Sequence, residues 1–405
     1  MSKEICQYIQ TQVLQAEMHS DGALTIHASR ALEQLGCPAL PQSRLWLLKV
    51  VQAAVSGRAS ELALTTSESE ISCSFLPELD GLEESLRILE AAPITGYWKH
   101  LQQALWALLA QQLEFECNLP GSARGWRYSG EKLSLLSGSQ QSPGIHLTVR
   151  CGQTKELLEL LSERAFLCPI LVLVNGHRLE GKVTPTPIAA PIYLEAIHDQ
   201  GLPDLPLPKR EGSLAPTEEC SFASVGLPDE SKSAKALGVV SIHLERRQRG
   251  WRPVATDSFV YWFLDGVWIE RQRLPFDRSS ISCEVYASAE GLNTDASGIR
   301  LVPDEKRAGR YRRCLAAAGV VIQNTRLPDE LCNMGKNSPP IRTLFGAMTL
   351  GLVLMLSIPS AGAWLATGGL VATLCSLPGG QQLVRELQNS LESLQIQAAR
   401  SGVWP

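Results

Sequence analysis

Few residues in this chain combine a reactive type with a productive spacing, and the sharpest candidate lacks a part it would need. Gly176-His177-Arg178-Leu179-Glu180-Gly181-Lys182-Val183 has the G-x-x-x-x-G-K spacing of a phosphate-binding loop. That chemistry requires a hydroxyl after the lysine to reach Mg²⁺, and a helix N-terminus aimed at the phosphates. Val183 stands at the hydroxyl position, Asn175-Gly176 is a hairpin-turn dipeptide, and Pro185 and Pro187 obstruct a helix start. Asp295 and Ser297 lie in the polar loop Glu290–Gly298, where hydrogen bonding within a turn accounts for both. The seven histidines show no H-x-x-x-H or H-E-x-x-H spacing, which argues against a helical metal site. No G-x-S-x-G nucleophile elbow is present. Lys306, Arg307, Arg310, Arg312 and Arg313 fall on one expected helix. They read as a solvated basic face, placed ahead of an uncharged segment where contact with anionic lipid heads is open to them.

Composition narrows the classes further. Of 405 residues, 44% are apolar and 19% charged, with a net charge of −4. A globally basic nucleic-acid binder is excluded, and no nucleic-acid partner is expected. Met-Ser-Lys-Glu-Ile-Cys-Gln has no apolar core of the kind a secretory signal needs. The eleven cysteines run from Cys6 to Cys375 without a C-x-x-C pair. Free, mostly buried thiols in a reducing compartment are the expectation, with no zinc site.

The elements that would position any site follow from periodicity. Leu45 to Val55 is apolar on almost every face and reads as a buried helix within Arg44–Gly57. Glu61–Thr65 and Ile71–Phe75 alternate as strands, and helices are expected at Leu82–Ala91 and Trp98–Gln112. Strands near Leu113–Cys117, Lys132–Leu136 and Ile145–Cys151 precede a helix over Thr154–Ala165. Ile170–Leu179 reads as a hairpin about Asn175-Gly176, and Asp265-Gly266 as a second, between Val260–Phe263 and Val267–Ile269. Strands at Val239–Arg246 and Ser282–Ala287 and a helix at Asp304–Ala318 complete the second region. The expected organisation is an α/β domain over 1–200, a proline-rich linker or loop over 201–235, a smaller α/β domain over 236–335, an apolar segment over 341–380 and an amphipathic tail helix over 381–405.

From Thr343 to Val384 no charged residue occurs, with Arg342 and Arg385 as flanks. A single crossing needs about 20 apolar residues, and this run is longer, broken by Pro359-Ser360-Ala361-Gly362. A helical hairpin, one kinked span and a helical pair in a soluble core all fit. Membrane association is favoured, with membrane lipids as the partner of Leu344–Leu377 and the folded mass at the cytoplasmic face. In the tail, Leu383, Leu387, Leu391 and Leu394 form one apolar stripe, suited to packing on its own protein or lying at a membrane surface.

Leu48 to Leu62, a helix leading into a strand, resembles the first motif of the GHKL ATPases, the superfamily of the ninety-kilodalton heat-shock chaperones, the DNA mismatch-repair ATPases, the type II topoisomerases and the histidine kinases. The pattern extends loosely through Pro169–Leu179 and Ser288–Gly298. The resemblance implies an α+β sandwich for the N-terminal domain. It also implies that the family's general base falls at Lys49, its Mg²⁺-binding Asn at Ala53 and its following Asp at Ser56, with Gln52 in the same turn. The adenine-contacting motif is reduced to Leu79-Asp80-Gly81-Leu82, and the glycine-rich motif to Gly96-Tyr97-Trp98-Lys99-His100. A lysine cannot act as a carboxylate base, and Ala53 offers Mg²⁺ no oxygen. Lys49, Gln52, Ser56, Asp80 and Gly81 are therefore the positions of a degenerate nucleotide site, with no catalytic residue, metal or required cofactor expected. This favours a pseudo-ATPase acting as a chaperone-like scaffold or adaptor. The alternatives are an ATP-binding switch in which Lys49 contacts phosphate as a point charge, and a soluble interaction protein that docks through its apolar segment.

Overall fold

The computed structural model describes residues 44–78, 96–119, 124–130, 132–137, 144–179, 188–206, 234–247, 250–295, 297–327 and 380–400. The expected helix Leu82–Ala91, residues Asp80 and Gly81, most of the 201–235 linker and the apolar segment up to Pro378-Gly379 lie outside them. The architecture is mixed α/β with two sheets, and contacts divide the chain into two units: 1–154 with Val174–Gly176, and Lys155–Leu173 with 177–405.

In the first unit, helix α1 (Leu45–Ser56) precedes strands β1 (Glu61–Thr66) and β2 (Glu70–Phe75). Helix α2 (Gly96–Ala110) is followed by β3 (Phe115–Asn118), β4 (Arg124–Tyr128), β5 (Leu133–Ser137) and β6 (Ile145–Arg150). The strands order as β5-β4-β3-β6-β2-β1. Each strand joining β6, β2 and β1 alternates, so Leu62, Leu64, Ile71, Cys73, Phe75, Ile145, Leu147 and Val149 are buried. Their neighbours form a polar face, where Ser72 and Thr148 hydroxyls meet at 2.9 Å and Arg127 pairs with Glu116 at 2.6 Å. Helix α1 packs on α2 and on β1. The Asn175-Gly176 turn has φ values of 51° and 80°, the left-handed geometry the dipeptide supplies. Asn175 then ties that turn to β1, its backbone N–H reaching the Leu64 carbonyl at 2.8 Å.

The second unit holds helix α3 (Thr154–Arg164, of which Thr154 is counted with the first), the hairpin strands β7 (Leu171–Val174) and β8 (His177–Arg178), and β9 (Ile188–Ile197). Strands β10 (Ala236–Arg247), β11 (Gly250–Pro253), β12 (Phe259–Leu264), β13 (Val267–Arg273) and β14 (Ile281–Ser288) follow. Helices α4 (Glu305–Asn324) and α5 (Gly380–Arg400) close it. Its sheet runs β11-β10-β14-β12-β13, with β9 also pairing β10. One sheet face carries Leu237, Val239, Phe263, Trp268 and Tyr286, buried with Leu167 and Leu205. Helix α4 approaches the sheet so closely at Gly238 that a β-carbon there would lie 2.5 Å from Val321. A glycine is required at that contact.

The tail stripe is buried in the same unit. Leu383, Val384, Leu387, Leu391, Leu394 and Ala398 are all under 9% exposed, and α5 packs on α4, β11 and β14. Each large buried side chain contributes roughly 1.5–3 kcal/mol of transfer free energy. Among the described residues no helix is long and apolar enough to cross a membrane.

Leu394 is 1% exposed and Ile396 51%. Leu394→Ala should cost about 2–5 kcal/mol in urea unfolding through the cavity it leaves. Ile396→Ala should stay within about 0.5 kcal/mol. Equal effects would mean that α5 is not docked.

Candidate functional site

Helix α1 carries three of the five positions that the resemblance assigns to a degenerate nucleotide site. Lys49 and Gln52 are both 0% exposed, and Ser56 at the last turn is half-buried. An ammonium or amide without contact to water needs compensation inside the fold, and neither residue is without an interaction. Trp46, Leu47, Val50, Val51, Ala53 and Ala54 share the 0% exposure, so the helix presents no open side at these positions.

The C-terminal end of α1 is a junction of three elements. The helix ends through Gly57 N–H to the Ala53 carbonyl at 2.9 Å, and Arg58 takes a φ of 54°. The chain leaving β2 returns here, because Glu78 N–H donates to the Gly57 carbonyl at 2.9 Å. That contact lies two residues before Asp80, which with Gly81 is outside the described residues. The third element is the start of α2. Gly96, at φ 62°, begins the helix, so Tyr97-Trp98-Lys99-His100 is its first turn and not a loop. Tyr97 and Trp98 are buried with ring centroids 4.6 Å apart. Their aromatic bulk sits against the junction: a β-carbon on Gly57 would meet Pro77 at 3.1 Å and the Tyr97 ring at 3.4 Å. Where the resemblance places a glycine-rich loop, this chain has a helix end filled by rings.

Among the described residues of this unit, the thiols are unreactive by environment. Cys73 and Cys117 are fully buried and free, and burial pushes both up, Cys117 to about 12. A thiol held protonated is a poor nucleophile and metal ligand. Among the described residues no cluster of His, Cys, Asp or Glu could hold a metal ion.

The second unit contains polar groups that sequence patterns did not single out. On the aromatic face, the half-buried Glu284 accepts from the Tyr286 hydroxyl and from Tyr261 at 3.4 Å. Burial raises the carboxyl, opposed by those hydroxyls, and burial together with the Glu284 charge holds Tyr286 well up. Phe166 meets Phe263 and Tyr286 edge-on at 5.5 and 5.6 Å, and Arg164 lies 4.3 Å over the Trp268 ring. The chain's own guanidinium therefore occupies this aromatic surface. Elsewhere His243 Nε2 is 2.7 Å from Ser282 Oγ, both buried. Alternation on β10 and β14 puts these side chains on one face, a pairing that only the strand register reveals.

Of the expected basic face, three members are engaged within the unit. Arg307 binds Glu270 at 2.5 Å and the Leu301 carbonyl at 2.8 Å, Arg310 donates to the Ser288 and Glu290 carbonyls, and Arg313 pairs with Asp199 at 3.1 Å. Lys306, Arg312 and Arg313 are exposed, Arg313 even in its ion pair. The reading of five solvated cations is corrected to three, because Arg307 and Arg310 are drawn in to donate to carbonyls of the loop from Ser288 to Leu301. Within that loop Ser297 Oγ donates to Asp295 at 2.5 Å and Gly298 N–H to the Asp295 carbonyl at 2.9 Å, the expected turn chemistry.

No protein-family model matches the chain, and no curated protein is similar to it. Among solved structures, one titled as the N-terminal domain of a DNA repair protein is similar over 72% of this chain and 98% of that chain. The identity is 8% and the TM-score 0.34, and nothing about this chain's activity follows from it.

Burial lowers His243 to about 4 from an ordinary 6.5. The folded state binds this proton later than the unfolded state, so the neutral ring's stabilisation is complete above pH 6.5. It is lost as pH falls from 6.5 toward 4, by roughly 3 kcal/mol. The stability advantage of the native chain over His243→Gln should shrink by that amount between pH 7.5 and 4 in urea titrations. A difference independent of pH would show that His243 is not held neutral.

Proposed function

We propose that this protein is a nucleotide-independent, chaperone-like scaffold or adaptor built on a GHKL-like frame and held at the cytoplasmic face of a membrane by its charge-free segment. The observation that carries the first part is the complete burial of Lys49 and Gln52 in α1. Under the resemblance these are the positions that face nucleotide, water and metal. Here they are core residues, and Ala53 beside them has no ligand atom. The aromatic packing of Tyr97 against Gly57 supports the same reading. The membrane part is supported by the uncharged run from Thr343 to Val384, which the apolar hairpin reading of 341–380 assigns to lipid.

Two measurements test this. Millimolar ATP with Mg²⁺ should give no hydrolysis and no rise in Tm. A site of Kd about 10 µM would add ~2.7 kcal/mol under those conditions and be visible. A shift with ATP but not with AMP or GTP would favour a molecular switch, and its loss in Lys49→Ala would make Lys49 a phosphate ligand.

For location, the full chain should sediment with membranes. A version with residues 343–379 replaced by a Gly/Ser linker of equal length should become soluble while keeping α5. Truncation before the segment is unsuitable, because it also strips the buried α5 stripe from the second unit. Full-length protein recovered without detergent in the soluble fraction would favour an interaction protein that docks by its apolar segment.

A further inference from the structure

Helices α4 and α5 flank the charge-free stretch in the chain and are neighbours in the fold. Helix α4 ends at Asn324 and α5 begins at Gly380, and no charged residue occurs between Arg342 and Arg385. The two helices are joined by specific contacts near the end of α4. Gln323 Nε2 donates to the Gln395 carbonyl at 2.7 Å, and Gln395 Nε2 donates to the carbonyls of Ile322 at 3.3 Å and Thr325 at 3.1 Å. Helix α5 also reaches the sheet side of the unit. Ser390 Oγ lies 3.0 Å from Ser280 Oγ, and Gln397 Oε1 accepts from Asp277 N–H at 2.7 Å. Its apolar stripe is consumed in the same docking, with Leu387 and Leu394 each 1% exposed.

We propose that the second unit holds the helices on either side of the charge-free stretch on one body, so that the stretch enters and leaves the bilayer on the same side. This rests on the membrane reading above and removes one form of it. A single crossing would put α5 beyond ~30 Å of hydrocarbon from α4, and none of the contacts just described would survive that separation. The flanking charges agree: Lys336 and Arg342 precede the stretch and Arg385 follows it, and positive residues on both sides resist translocation. Helix α5 is thus a strap that returns the chain to its own unit, and its stripe is not a lipid-facing surface.

The test uses the full chain in sealed vesicles, with Cys6, Cys37, Cys220, Cys332 and Cys375 replaced by Ser and the buried thiols retained. Hydroxyl oxygens 3.0 Å apart put the Ser280 and Ser390 side chains within disulfide reach. Membrane-bound Ser280→Cys/Ser390→Cys should form an intramolecular cross-link on mild oxidation, seen as a reducible mobility shift absent from either single variant. Independently, the exposed positions Arg312→Cys on α4 and Glu392→Cys on α5 should react with an impermeant maleimide from the same side. Membrane-bound protein whose two positions label from opposite sides, or which fails to cross-link, overturns the clamp and leaves the membrane reading standing. Recovery of the chain in the soluble fraction without detergent overturns both.

Discussion

Helix α1 has to be enclosed, and that requirement organises the first unit. A helix apolar on all faces cannot lie on a surface, so it takes two covering layers. Helix α2 and the apolar face of the sheet provide them, which is why β1, β2 and β6 alternate so cleanly and why the opposite sheet face carries serines, threonines and charge pairs. Enclosure also decides what the polar residues of α1 can do. Lys49 and Gln52 are retained in a place where desolvation is costly, and both are shut off from solvent. The surface that a catalytic lysine or glutamine would need is occupied by the same packing that makes the helix stable.

The second unit is built by a different device. Its sheet is covered on both faces, by α4 pressed onto Gly238 on one and by Phe166, Leu167 and Leu205 on the other. Arginines act as ties from α4 to loops and sheet, using their fixed geometry to satisfy several carbonyls at once. Arg307 alone reaches Glu270, Gln272 and the Leu301 carbonyl. The buried acid and phenols of the aromatic face are in turn satisfied by one another.

Local signals in the sequence located most elements, and nonlocal ones did not. Asn175-Gly176 and Asp265-Gly266 specify their turns because each needs two left-handed φ values in succession, and the chain adopts them at both places. The helix at Leu45–Ser56 and strands such as Glu61–Thr66 follow from periodicity. Strand β9 was hidden because Pro191 interrupts its pattern. That proline is tolerated at an irregularity in the β9–β10 pairing, between Val240 and Ser241, where a missing N–H does no harm. Strand β4 was hidden by its charged residues, of which Arg127 faces outward to pair with Glu116. Helix α3 was legible as a helix over Thr154–Ala165, but periodicity did not show that it groups with the second unit, where the Trp268 indole N–H bonds the Glu163 carbonyl. At the candidate site the departures from the resembled motif were legible, but the burial of Lys49 was not. Nothing in a heptad of neighbours tells whether a lysine's end finds water.

The return of α5 to its unit sets an order on biosynthesis. Residues emerge from the ribosome in sequence, and domains ordinarily fold as they are completed. The second unit cannot do so, because the helix that covers part of it is encoded after the charge-free stretch. Until α5 is made, the surface on α4, β11 and β14 that receives Leu387 and Leu394 stays open beside a long, nascent apolar segment. Docking of α5 is therefore the last step in folding the second unit, and it closes the surface that the rest of the unit leaves open.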